Sequence, residues 1–117
     1  MTAALEPLLV ACLCAQWCGS CREYAPLFEA ASGLPPARFV WIDIEDHAEV
    51  LGDVDVENFP TLLIARGDAL LFFGPVTPHA QTLRRLVEAA ASGELKPLDD
   101  PALAGLPARV RALADAS

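Results

Sequence analysis

Positive charge is what this 117-residue chain has least of: eight Lys and Arg stand against sixteen Asp and Glu, for a formal net charge of -8 and a pI near 4.5. That balance argues against binding nucleic acid or an anionic membrane through bulk electrostatics. Long apolar runs are missing too. The run over 8–15 has eight residues, too few to cross a bilayer, and Met1 to Glu6 before it carry no basic side chain of the kind a targeting leader needs. The expected placement is therefore cytoplasmic. Internal repeats and low-complexity tracts are absent, and a composition that is 54% hydrophobic and 21% charged excludes wholesale disorder. This length gives one domain with a single core.

What the chain does have is four cysteines, two of them in Trp17-Cys18-Gly19-Ser20-Cys21. Two thiols three positions apart can close and reopen a small disulfide ring, which makes them a candidate two-electron redox centre. Zinc knuckles use the same spacing, so the pair alone leaves redox chemistry and metal binding open. The apolar run over 8–15 reads as a buried strand and the amphipathic run after the motif as a helix, which puts Cys18 where strand passes to helix. Unpaired N–H groups and the dipole at a helix start favour thiolate over thiol, and the thiolate is the attacking species in disulfide exchange. In a secreted protein four cysteines would permit structural disulfides. In a reducing compartment they are free, catalytic or metal-bound.

The near-unbroken apolar series that begins at Leu8 predicts a central strand covered on both faces, with Cys12 and Cys14 on one face and Leu13 on the other. Tyr24, Leu27, Phe28 and Ala31 recur at helical spacing, Pro26 falls inside that helix as a kink, and Gly33 with Pro35 and Pro36 stops it. Residues 38–44 predict a second strand, parallel to the first because a helix intervenes. Asp46 is expected to cap a short helix, with Glu49 completing a capping box and Val50 and Leu51 buried. Asp43, Glu45 and Asp46 read as strand-end and capping residues in preference to a metal cluster. Residues 61–66 and 69–73 predict a hairpin through Gly67-Asp68. Thr77-Pro78 is expected to start a helix with Leu83, Leu86, Val87 and Ala90 on its buried stripe and Gly93 at its end. His47 and His79 read as surface positions in first helical turns. The order is α/β with a mixed sheet. A Pro- and Ala-richer tail follows, with a short helix expected over 107–114 that carries Val110 and Leu113 on one side with Leu106.

Taken together, Trp-Cys-Gly-x-Cys, the proline five residues after the second cysteine (Pro26), Phe59-Pro60-Thr61 and the Gly-containing hairpin resemble the thioredoxin family over residues 8–91. The resemblance implies a thioredoxin-like fold: a central mixed four-stranded sheet flanked by helices, without the N-terminal strand and helix of full-length thioredoxins. The domain would occupy 1–93 and a C-terminal extension, with a short helix packed on it, 94–117. It implies that Cys18 is the nucleophile and Cys21 the resolving thiol, and that Pro60 is cis. Trp17, Gly19, Ser20, Phe59, Pro60 and Gly74 would bind an extended substrate strand. No cofactor and no metal are implied. Two departures stand out. The buried carboxylate that family members carry six residues before the first cysteine is Cys12 here, and its usual lysine partner is replaced by Trp41, so both halves of an ion pair are lost together and no buried charge is left uncompensated. Glu45 is the carboxylate expected to serve Cys21 instead. Ser20 stands where the family often has proline.

The leading expectation is an enzyme, a thiol-disulfide oxidoreductase acting on protein disulfides and recharged by an unknown electron donor or acceptor, monomeric, with no nucleic-acid or membrane partner. Two alternatives stay open: a zinc-binding module using Cys12, Cys14, Cys18 and Cys21, and a non-catalytic thioredoxin-like interaction domain.

Overall fold

Strand β1 (Leu8–Cys14) has every residue buried, and it is hydrogen-bonded along both edges. The computed structural model describes residues 8–15, 19–32, 37–52, 54, 56, 60–67, 69–77 and 79–116. On one side β1 pairs in parallel with β2 (Ala37–Asp43), and on the other it pairs antiparallel with β3 (Thr61–Arg66). β3 pairs antiparallel with β4 (Ala69–Pro75), giving the order β2-β1-β3-β4. The parallel pair follows from the helix between its strands, which must carry the chain back to the starting edge. The β3–β4 hairpin is the expected one. Gly67 at its turn has φ +60°, a left-handed value that costs a glycine little and most side chains much.

Alternation along β1 splits the core in two. Leu8, Val10, Cys12 and Cys14 face one side, where they meet Cys21, Tyr24 and Phe28 of helix α1 (Gly19–Ala31) and Leu83, Val87 and Ala90 of helix α2 (Ala80–Ala91). Leu9, Ala11 and Leu13 face the other side. There they pack with Ile42, Leu63 and Ala65 of the sheet, with Val50 and Leu51 around a 3₁₀ turn (Ala48–Val50), and with Leu106 and Val110 of helix α3 (Leu106–Ala116). Full burial of each such Leu or Val contributes about 1.5–3 kcal/mol, so the seven residues of β1 anchor both layers. Pro26 lies inside α1 on an exposed position, as its spacing required. Among the described residues no helix is long and apolar enough to cross a membrane.

Two expected helix starts are displaced. Asp46 does not cap the short helix: the Asp43 carbonyl accepts from both Asp46 N–H and His47 N–H, each at 3.1 Å, so the backbone turns first and His47 occupies the cap position without a side-chain bond. Thr77 does not cap α2 either. Val76 N–H donates to the Pro60 carbonyl at 3.0 Å, which keeps the chain tied to the sheet, and His79 N–H donates back to the Thr77 carbonyl at 2.8 Å. The helix then begins at Ala80 with His79 before it. Pro78 and Asp68 lie outside the described residues, as do the expected stop residues Gly33, Pro35 and Pro36.

After Gly93 the chain returns to the sheet. Leu98 N–H donates to the Leu70 carbonyl at 2.7 Å, and α3 then lies over the second face. Arg109 fastens it there: Nε donates to the Val50 carbonyl at 2.7 Å and Nη2 to the Leu51 carbonyl at 3.2 Å, satisfying groups that the 3₁₀ turn leaves open. Arg111 Nη2 donates to the Gly67 carbonyl, and Arg38 pairs with Asp115 at the exposed end. Leu106 is fully buried, so Leu106→Ala should cost about 2–5 kcal/mol in denaturant unfolding. A loss below about 0.5 kcal/mol, the range of an ordinary surface change, would contradict the packing of α3 against the sheet.

Candidate functional site

The site is built where β1 ends and α1 begins. Parallel pairing puts the carboxyl ends of β1 and β2 side by side, so Cys12 lies opposite Trp41 and Cys14 opposite Asp43, and the pairing continues through Ile44 N–H to the Cys14 carbonyl at 2.9 Å. α1 opens at Gly19, directly after position 18. Gly19 is exposed, with space for a side chain all round, and Ser20 is half-buried. Cys21, in the first turn, points into the core and is 2% exposed. Trp17 and Cys18 lie outside the described residues, so their expected roles as groove residue and nucleophile rest on the sequence.

A cavity of about 380 Å³ opens at this corner, lined by Cys14, Ala15, Cys21, Arg22, Ala25, Trp41 and Asp43. It gives Cys21 and Cys14 a common wall. Two sequence readings change here. Trp41 is not a buried apolar substitute for a lysine: it is 39% exposed, stacks edge-to-face on Phe28 with ring centres 5.7 Å apart, and forms one side of the opening. The carboxylate at the cavity is Asp43 and not Glu45, which is exposed and whose backbone N–H donates to Asp43 Oδ1 at 2.9 Å. The parallel register was the signal that could have found Asp43, because it sets the last residue of β2 against Cys14.

Behind the cavity lies a second sulfur pair. Cys12 and Cys14 share a face, as the alternation predicted, and their Sγ atoms are 3.3 Å apart, close enough for one thiol to donate to the other. Both are buried. The Tyr24 hydroxyl is enclosed beside them with no hydrogen-bond partner among the described groups. Burial raises the Tyr24 pKa well above its ordinary value, and negative charge on Cys12 or Cys14 would raise it further. Sequence reading placed Tyr24 only on the buried helix stripe. Its place in the same core cluster as the sulfurs depends on how α1 seats against β1.

At the head of β3, Pro60 is buried, and its carbonyl accepts from Val76 N–H. Gly74 in β4 is half-buried and pairs with Leu62, away from the cavity lining. Phe59, and with it the peptide bond preceding Pro60, lies outside the described residues. For the four-thiol zinc set, no group of three or more His, Cys, Asp or Glu side chains able to hold a metal occurs among the described residues, which include Cys12, Cys14 and Cys21.

A mixed four-stranded sheet with a cysteine-bearing helix springing from its central strand defines a thioredoxin-type α/β protein. Comparison bears this out: the Thioredoxin family profile matches residues 2–88. The chain belongs to the thioredoxin family. It is 34% identical over 62 residues to a putative thioredoxin 2 of Streptomyces coelicolor, a match spanning 52% of this chain and 46% of that one. It is 41% identical over 56 residues to an H-type thioredoxin of Oryza sativa subsp. indica, spanning 47% and 46%. The chain thus spans about half the length of these curated relatives. Among solved structures, Fasciola hepatica thioredoxin superposes with a TM-score of 0.64 at 27% identity, covering 71% of this chain and 80% of that one.

Tyr24 is the only tyrosine, so ultraviolet titration reads it without interference from another phenol. In the unfolded chain it should ionise near pH 10, and in the folded protein well above that. A raised folded pKa means that the native state holds the proton longer. Its share of stability is therefore complete below about pH 10 and falls as pH rises beyond it. Tyr24→Phe should flatten that alkaline loss without weakening the fold at neutral pH. Ionisation of native Tyr24 at its ordinary value would contradict the enclosure.

Proposed function

We propose that the chain is a thiol-disulfide oxidoreductase that exchanges disulfides with protein substrates through Cys18 and Cys21. The carrying observation is Cys21 itself, buried in the first turn of α1 on the wall of an open cavity, in a chain whose family match includes the whole motif. Position 18 precedes the helix start, where the dipole favours a thiolate. The Cys18 thiolate attacks a substrate disulfide, forms a mixed disulfide and expels one substrate thiolate. Cys21 then loses its proton and attacks the Cys18 sulfur, releasing the second substrate thiolate and closing Cys18–Cys21. An electron donor of the thiol or dithiol class restores the pair.

Asp43 takes the proton from Cys21 across the cavity, in place of the carboxylate that the position of Cys12 lacks. Trp41, with Trp17, Gly19, Ser20 and Phe59, forms the surface that receives the substrate strand, and Pro60, buried at the head of β3, contributes through its backbone. Gly74 lies off the cavity, in β4, which β3 separates from β1. No cofactor takes part. A reducing, cytoplasmic setting and a monomeric state complete the reading.

The direct test is reduction of insulin disulfides by dithiothreitol in the presence of the protein. Cys18→Ser should abolish the acceleration, and undiminished activity in that variant would end the proposal. Cys21→Ser should accumulate a substrate mixed disulfide visible by mass. General acid–base groups contribute about 10²–10⁴-fold to rate. Asp43→Asn should lie at or below the bottom of that range, with the loss in kcat and with KM little changed. Elemental analysis of protein purified without chelator addresses the zinc module: near-stoichiometric zinc would favour it over the redox reading.

A further inference from the structure

We propose that the groove between α1 and the outer edge of β2 is a docking site for substrate. Its occupant is an extended segment of the partner protein, with bulky apolar side chains at alternate positions and a basic side chain flanking them, added to β2 as a strand. The inference rests on the dithiol reading above and names what surrounds the disulfide on the proteins it acts on. Two adjoining cavities make the groove. One is the cavity of about 380 Å³ at Cys21, and the other, of about 340 Å³, is lined by Phe28, Glu29, Ser32 and Phe39, with Ala25 and Trp41 in the wall of both. Along α1 the lining residues Arg22, Ala25, Glu29 and Ser32 stand three or four positions apart, so they form one stripe. The opposite flank of the helix faces α2, with which Leu27 and Ala31 share a small cavity. On β2 the lining residues alternate, Phe39, Trp41 and Asp43, and so share a face. β2 is the edge of the sheet, and no strand pairs with its outer side among the described residues.

Each part of the occupant answers a feature of the groove. An open strand edge offers N–H and C=O groups that an extended chain satisfies by pairing, and pockets for alternate side chains then set specificity. Side chains two apart on an added strand stand about 6.6 Å from each other on one face, so one enters the cavity on either side of Trp41. The walls are aromatic: Phe28 meets Phe39 and Trp41 edge-to-face, with ring centres 5.2 and 5.7 Å away, and Trp41 is 39% exposed. Such rings favour bulky apolar or aromatic side chains. At the far end stands Glu29, exposed, its carboxylate without an ion pair or hydrogen bond among the described residues, on a chain of net charge -8. A basic side chain complements both. The near end is the cavity of Cys21 itself, so a segment seated in the groove runs up to the resolving thiol.

The probe is a synthetic peptide without cysteine, acetyl-Lys-Thr-Phe-Thr-Phe-Thr-Lys-amide, whose two lysines bring a cation to Glu29 in either strand direction. Titrated into the full chain and followed by amide NMR, it should shift β2 and the α1 stripe that begins at Arg22. Replacing either Phe by Ala, or setting the two Phe side by side, should weaken binding by at least about tenfold. N-methylation of both Phe, or of the three Thr, strips donors from opposite edges of the peptide. One of these two peptides should therefore lose binding by at least about tenfold and the other should lose little. Glu29→Lys, at an exposed position without a partner of its own, should weaken binding about threefold. That variant should bind the peptide with Glu in place of both Lys better than the wild-type chain does. In the insulin assay the peptide should raise the apparent KM and leave kcat unchanged. An absence of β2 shifts at about 1 mM peptide, equal binding of the alternate and adjacent Phe peptides, or binding without competition overturns the docking site and leaves the redox reading standing. Self-association of the peptide-free chain, seen as a concentration-dependent sedimentation coefficient that Trp41→Ala removes, assigns the groove to a second copy and overturns it as well. Undiminished insulin reduction by Cys18→Ser ends the redox reading, and the substrate assignment with it, whatever the peptides do.

Discussion

The burial of β1 on both faces and both edges is the constraint from which the rest follows. A strand held that way cannot slide by one residue without turning Cys12 and Cys14 toward the Leu106 face and Leu13 toward α1. Its end is therefore fixed in space, and with it the point at which the chain turns into α1. The first turn of that helix carries Cys21 inward, and parallel pairing brings Trp41 and Asp43 alongside. The chemistry at the corner is thus set by how the sheet is paired, with α2 and α3 acting at a distance by covering its two faces.

The interior behind the motif holds sulfur where the resemblance to thioredoxins implies a carboxylate. Removing one member of a buried ion pair strands the other, while removing both leaves a packing problem only. Here Cys12 fills the inner position with a small, polarisable side chain, and Trp41 turns outward over Phe28 to wall the opening. Two features follow. Asp43 is the carboxylate that lines the mouth, and in the interior the Cys12 and Cys14 Sγ atoms meet at 3.3 Å.

Most of the architecture could be read from the chain. The apolar series from Leu8, the helical spacing of Tyr24 and Phe28, and the glycine between two apolar strands each identify an element because a local pattern has one physical solution. What escaped was decided between elements. Asp43 and Glu45 are indistinguishable as neighbouring carboxylates until the β1–β2 register sets one of them against Cys14. Trp41 looks like a core aromatic because β2 is a strand, but β2 is the edge of the sheet, where one side of a residue stays open. The displaced starts of the 3₁₀ turn and α2 have the same origin: carbonyls of Asp43 and Thr77 are taken by backbone turns, so good capping side chains at Asp46 and Thr77 go unused.

The central claim is that Cys18 and Cys21 act as one two-electron couple at the mouth of α1. Equilibration of the protein in glutathione buffers of graded potential, with alkylation of both thiols read at each step, tests it most directly. The account predicts that Cys18 and Cys21 lose reactivity together, with a slope of about 30 mV per tenfold change in ratio. Thiols that stay alkylatable throughout, or that titrate independently of each other, would contradict it.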